Sequence, residues 1–134
     1  MSNRSSGYHR DASFPHEAFV QAAIEHFLVG GGFEPFEASP TDFACKHPSS
    51  GQLWYVESKG ETKDIGLDFK TGIGQLIVRA KNRHADYAMA VPNIPAFLSQ
   101  CNQVPSWVRE ATNLFWLLVS SDSSVRVVKP GESI

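Results

Sequence analysis

The segment ADYAMAV, residues 85–91, narrows the possible folds more than any other stretch of this chain. It is a short continuous apolar run between Arg83-His84 and Pro92-Asn93, the pattern of a strand buried on both faces. Such strands occur where helices cover both sides of a sheet, and a parallel neighbour is then reached through a helical crossover. The residues before it supply that helix. Phe69, Ile73, Leu76, Ile77 and Ala80 recur at helical spacing, so a helix is predicted from about Asp68, behind the polar loop GETKDIGL.

The rest of the chain fits around this unit. Ser13 and Pro15 form a helix-start signal, with Ser13 as the expected cap and the proline in the first turn. Phe19, Ala23, Ile24, Phe27 and Leu28 keep helical spacing until the glycines at 30–32 end the helix. Residues 33–37 are predicted as a short strand, and DFACKH (42–47) alternates as a strand does. PSSG (48–51) is a hairpin turn signal, and LWYVES (53–58) is the next strand. Downstream, 95–103 and 106–112 are predicted helical, separated by Pro105, and 114–120 and 124–128 are predicted strands. The fold class expected is α/β: one mixed sheet in the order α-β-β-β-α-β, with further α and β pieces. Residues 1–12 are expected to form a flexible tail, 13–129 the domain and 130–134 a C-terminal tail. A length of 134 residues suits one domain with a core and is short for two.

Composition excludes several function classes. With 42% hydrophobic and 19% charged residues, wholesale disorder is ruled out. Apolar runs stop well short of membrane-spanning length, and the polar N-terminus has no apolar signal core, so a cytoplasmic protein is expected. Cys45 and Cys101 lie far apart outside any CxxC pattern and are expected to be reduced thiols, with no zinc site. A net charge of −2 does not advertise nucleic-acid binding, which would have to rest on local charge.

Within LWYVESKGET (53–62) an acid and a base interrupt an apolar strand. Side chains alternate along a strand, so Leu53, Tyr55, Glu57 and Lys59 share one face, and Trp54, Val56 and Ser58 the other. In the preceding strand Asp42, Ala44 and Lys46 share a face opposite Phe43 and Cys45. The hairpin makes the two strands neighbours and lets Asp42 and Glu57 face the same side, in a register that sequence leaves open. Two close carboxylates repel unless a cation lies between them. Oxygen ligands with open positions suit Mg²⁺ or Mn²⁺, and a nearby ammonium can position water or offset charge on a phosphoryl group.

Asp42 followed by Glu57-Ser58-Lys59 resembles the signature of the PD-(D/E)xK nuclease superfamily, which includes restriction endonucleases and archaeal Holliday-junction resolvases. The predicted order over residues 13–91 also resembles that family's core, so the resemblance implies a restriction-endonuclease-like fold. Three more positions fit: Glu17 in the first helix, Gln75 in the second, and Gly60 directly after the lysine. One position departs, since Thr41 precedes Asp42 and Pro40 stands one place earlier. The resemblance implies metal-dependent phosphodiester hydrolysis and does not say of which nucleic acid; the function expected is an Mg²⁺- or Mn²⁺-dependent deoxyribonuclease, most simply an endonuclease. Asp42, Glu57 and the Ser58 carbonyl would bind metal, Glu17 would do so directly or through water, Lys59 would position the nucleophile and Gln75 would support it. The other expectation on the same fold is an inactive nucleic-acid-binding or assembly subunit. DNA grip would come from a second copy or a partner subunit.

Several residues keep a plain reading beside the functional one. Glu17 also suits the positive end of its helix. Arg79, Lys81 and Arg83 in RAKNRH, with Lys63 in the loop before the second helix, are candidate phosphate contacts. They equally suit a solvated helix end. Arg79 and Arg83 are expected on one side of that helix, in line with Gln75. Gly72 and Gly74 weaken the helix, which close approach of another element or a frayed first turn would explain. The histidines lack metal spacing, and Trp107 and Trp116 are expected in the core.

Overall fold

The central strands are apolar on both faces, and each face is covered by helices. The computed structural model describes residues 12–134. Its elements are α1 (Glu17–Gly30), β1 (Glu34–Pro35), β2 (Phe43–Lys46), β3 (Leu53–Ser58), α2 (Ile65–Val78), β4 (Asp86–Pro92), α3 (Pro95–Asn102), α4 (Ser106–Thr112), β5 (Leu114–Val119) and β6 (Val125–Val128). Among the described residues one mixed sheet runs β1-β2-β3-β4-β5-β6. The first three strands form an antiparallel meander, β3, β4 and β5 are parallel through helical crossovers, and β6 returns antiparallel. This is the α-β-β-β-α-β order of a restriction-endonuclease-like core with C-terminal additions.

Alternation sorts the core into two layers. Val20, Ala23, Ile24 and Leu28 of α1 pack on Cys45, Trp54, Val56, Ala88 and Ala90. Phe69 and Leu76 of α2, with Phe97 and Cys101 of α3, pack on Tyr87, Met89, Val91 and Trp116. The doubly buried strand at β4 is therefore present, and both cysteines are free and buried. Burial pushes the Cys45 thiol up to about 11 and Cys101 to about 12, which keeps both protonated and inert.

Several boundaries differ from the sequence expectation. The helix-start residue is not Ser13: its carbonyl instead accepts from the His16 N–H at 2.9 Å in a turn, and α1 begins at Glu17. α2 begins at Ile65 rather than near Asp68, because Asp64 caps it by accepting from the Leu67 N–H at 3.3 Å. Its buried side is Phe69, Gly72 and Leu76, while Ile77 and Ala80, expected inside, are exposed. Gly72 and Gly74 thus lie in the helix interior, not in a fraying first turn. Trp107, expected in the core, is 69% exposed. The short α4 instead buries Arg109, whose guanidinium lies 5.2 Å from the Trp116 ring centre. Arg109 also donates to the carbonyls of Lys129, at 3.0 Å, and Glu132, while Ile134 packs against the second layer. The segment read as a C-terminal tail is thereby held to the domain. The N-terminal tail, apart from Asp11's neighbour Ala12, lies outside the described residues.

Candidate functional site

The β2–β3 ladder pairs Phe43 with Val56 and ends there. One step further along the same register, Asp42 stands opposite Glu57. There the side chain takes over from the ladder: Asp42 Oδ2 accepts from the Ser58 N–H at 2.9 Å. In an extended strand a residue's N–H and C=O project to the same side. The Ser58 carbonyl therefore faces the side on which Asp42 lies. The register left open by sequence resolves with both acids together.

Glu57 is only 5% exposed. Burial first, and then the Asp42 charge, pushes its carboxyl up to about 7, against the pull of Lys59 and Arg79. Lys59 reaches it across a helix made bare for the purpose. A Cβ on Gly72 would lie 2.9 Å from Lys59 Cε and 2.6 Å from Met89 Cε, so the glycine gives the lysine stem room beneath α2. Gly60 is equally constrained, because a Cβ there would collide with the backbone of His16 and Glu17. The turn after the lysine and the start of α1 are thus locked together, and the Glu61 N–H donates to the Pro15 carbonyl at 2.9 Å.

The two remaining expected residues lie on α1 and α2. Glu17 sits at the exposed start of α1, the helix on the opposite sheet face from Glu57. Its backbone packs directly against Gly60, the residue after Lys59, and among the described residues no three His, Cys, Asp or Glu side chains are grouped to hold a metal. Gln75 is in the interior of α2. It lies one helical turn from both Gly72 and Arg79, and its Oε1 is buried with no hydrogen-bond partner.

The basic residues divide. Because α2 ends at Val78, Arg79 is its cap and Arg83 lies beyond the helix, so the expected Gln75–Arg79–Arg83 line is broken. Arg79 turns inward: its Nη1 donates to Glu57 Oε1 at 3.4 Å and to the Pro40 carbonyl at 3.3 Å. That ion pair is the contact the sequence reading missed; the spacing of four from Gln75 was the available signal. Arg79 and Lys81 line a cleft of about 380 Å³ with the 38–41 segment, Tyr55 and Tyr87. Arg83 lines a separate cavity of about 540 Å³ that contains no carboxylate, and Lys63 is exposed in the β3–α2 loop.

The donor set fits a hard cation. Two adjoining carboxylates, one of them raised by burial and then by its neighbour, and an orphaned amide oxygen are oxygen donors that Mg²⁺ or Mn²⁺ accepts.

No family model matches the chain, and no curated protein does. Solved structures do. A XisH family protein from Nostoc punctiforme PCC 73102 matches with a TM-score of 0.58 at 16% identity, over 82% of this chain and 98% of its own. An fdxN element excision controlling factor protein from Anabaena variabilis matches at 0.59 and 16%, over 84% and 99%. The likeness is one of fold. Among the described residues no helix is long and apolar enough to cross a membrane.

Proposed function

We propose that the chain hydrolyses DNA phosphodiester bonds with Mg²⁺ or Mn²⁺, as an endonuclease. The observation that carries this reading is the buried Glu57 set beside Asp42, with Lys59 led to it over Gly72. Asp42, Glu57 and the Ser58 carbonyl would hold the cation, with Glu17 directly or through water. The cation would supply Lewis acidity and a bound water of lowered pKa. Lys59 would sit where the phosphoryl group becomes more negative, and Gln75 offers an unpaired acceptor to orient a water. With a net charge of −2, grip on DNA falls to a second copy or a partner subunit.

A second reading has one observation in its favour. Arg79 already gives Glu57 a protein counter-charge, as it would in a subunit that binds nucleic acid or assembles without cutting. The structural neighbour from Anabaena variabilis is itself named a controlling factor. Incubation with labelled DNA duplexes, flaps and junctions in Mg²⁺, Mn²⁺ or EDTA decides between them. Metal-dependent cutting that Glu57→Ala abolishes supports the nuclease. A wild-type protein that binds no Mn²⁺ and cuts nothing supports the binding subunit.

A further inference from the structure

Arg79 stands between two surroundings. One side is the carboxylate pair, which it touches through a single nitrogen at 3.4 Å from Glu57 Oε1, with the Pro40 carbonyl as its other partner. A one-pronged contact at that length is weaker than a bidentate arginine–carboxylate pair and easily exchanged. The other side is the cleft of about 380 Å³, where Arg79 and Lys81 both contribute to the wall. The side chain is 28% exposed and springs from the cap of α2, so its reorientation disturbs no helical interior. Two cations lining one small cleft call for an anion. Tyr55, also in the cleft wall, is two residues before Glu57 on the same strand face, about 7 Å away.

A divalent cation on Asp42 and Glu57 would remove the attraction that holds Arg79 and replace it with repulsion. We propose that the cleft is a subsite for a phosphate group of the nucleic-acid strand next to the reacting bond, and that Arg79 serves it only after a divalent cation displaces Arg79 from Glu57. The identity of the strand rests on the nuclease reading, but the coupling does not require cutting. Because linkage is reciprocal, metal and strand each tighten the binding of the other through this one side chain.

The test combines Mn²⁺ calorimetry without DNA and anisotropy of a short labelled DNA strand in Ca²⁺ or EDTA. Arg79→Met removes the competitor, so its Mn²⁺ affinity should rise several-fold. The same variant should lose about tenfold in DNA affinity in Ca²⁺, and most of the gain that Ca²⁺ gives the wild type. Arg79→Lys, which keeps the charge, should stay near wild type for Mn²⁺. A residue that merely braces the 38–41 segment would not raise metal affinity when removed. Unchanged or weaker Mn²⁺ binding by Arg79→Met, with its thermal melt intact, overturns the proposal. If that variant does not fold, Lys81→Ala decides: it should weaken DNA binding and leave Mn²⁺ binding alone, and unaltered DNA binding sinks the subsite. Wild type that shows the coupling yet never cuts in Mg²⁺ defeats the nuclease reading and leaves this inference standing. Wild type that cuts while Arg79→Met gains no metal affinity does the reverse.

Discussion

β3 and β4 lie side by side, Tyr55 against Tyr87 and Glu57 against Met89, and treat the same sheet face in opposite ways. Along β4 that face stays apolar through Met89 and Val91. Along β3 it turns acidic at Glu57, and just past the strand's end it turns basic at Lys59. Water is excluded from both positions almost equally, with Met89 at 0% and Glu57 at 5% exposure. Burying the methionine stabilises the fold by about 1.5–3 kcal/mol. Burying the carboxylate opposes folding, as its raised pKa records. β4 therefore serves the fold, and the end of β3 is shaped for something other than stability.

The sharpest way to separate the strands is by function. Asp42→Ala or Glu57→Ala should lose Mn²⁺ binding in calorimetry and lower single-turnover cleavage by a few orders of magnitude. Lys59→Ala should keep Mn²⁺ binding and lose roughly 10²–10³-fold in cleavage. A Lys59→Ala protein that cuts as fast as wild type would remove the lysine from the mechanism.

Stability should move the other way. Met89→Ala should cost about 2–5 kcal/mol in urea unfolding. Glu57→Met, which makes β3 resemble β4, should be neutral or stabilise by up to about 4 kcal/mol at pH 8 while abolishing metal binding. If it destabilises as much as Met89→Ala, Glu57 is a structural counter-ion of Arg79 and the contrast between the strands collapses.

The pH dependence tests the same contrast more finely. The Glu57 carboxyl holds its proton up to about pH 7 when folded, against 4.5 for the ordinary value. Between those values the folded state binds more protons than the unfolded one, so stability falls as pH rises through this window. The metal-free protein should lose about 3 kcal/mol between pH 4.5 and 7.5 from this group. Glu57→Gln should remove that slope; an unchanged slope would place the titration elsewhere.

The smallest effects concern the helix above the site. Gly72→Ala should cost about 1–3 kcal/mol, since the added carbon meets Lys59 and Met89. Gly74 faces open space, so Gly74→Ala should stabilise by about 1 kcal/mol. Equal melting shifts for the two would mean that the lysine stem does not need the gap.

Much of the candidate site was legible because strand alternation is a local rule. Glu57, Lys59 and Asp42 could be put on their faces before any contact was known, and the hairpin turn made their strands neighbours. Helix ends were less legible. Asp64 caps α2 ahead of the expected start, and the chain leaves the helix at Arg79, so positions counted forward from Gln75 no longer share a side. Trp107 misled for a related reason: a two-turn helix has too few residues for its periodicity to declare a buried face, and Arg109 took that place.

The sequence by itself determined the order of elements, the doubly buried β4 and the faces of β3, because each follows from periodicity within one segment. Only the tertiary structure decided the register that sets Asp42 against Glu57, the packing of the start of α1 on the turn after Lys59, and the inward turn of Arg79. It also decided that Gly60 must be bare against the start of α1, and that Gly72 leaves room for the Lys59 stem. Each of these depends on how closely two elements distant in the chain approach. That distance is set by the packing of the two layers together, which no single segment encodes.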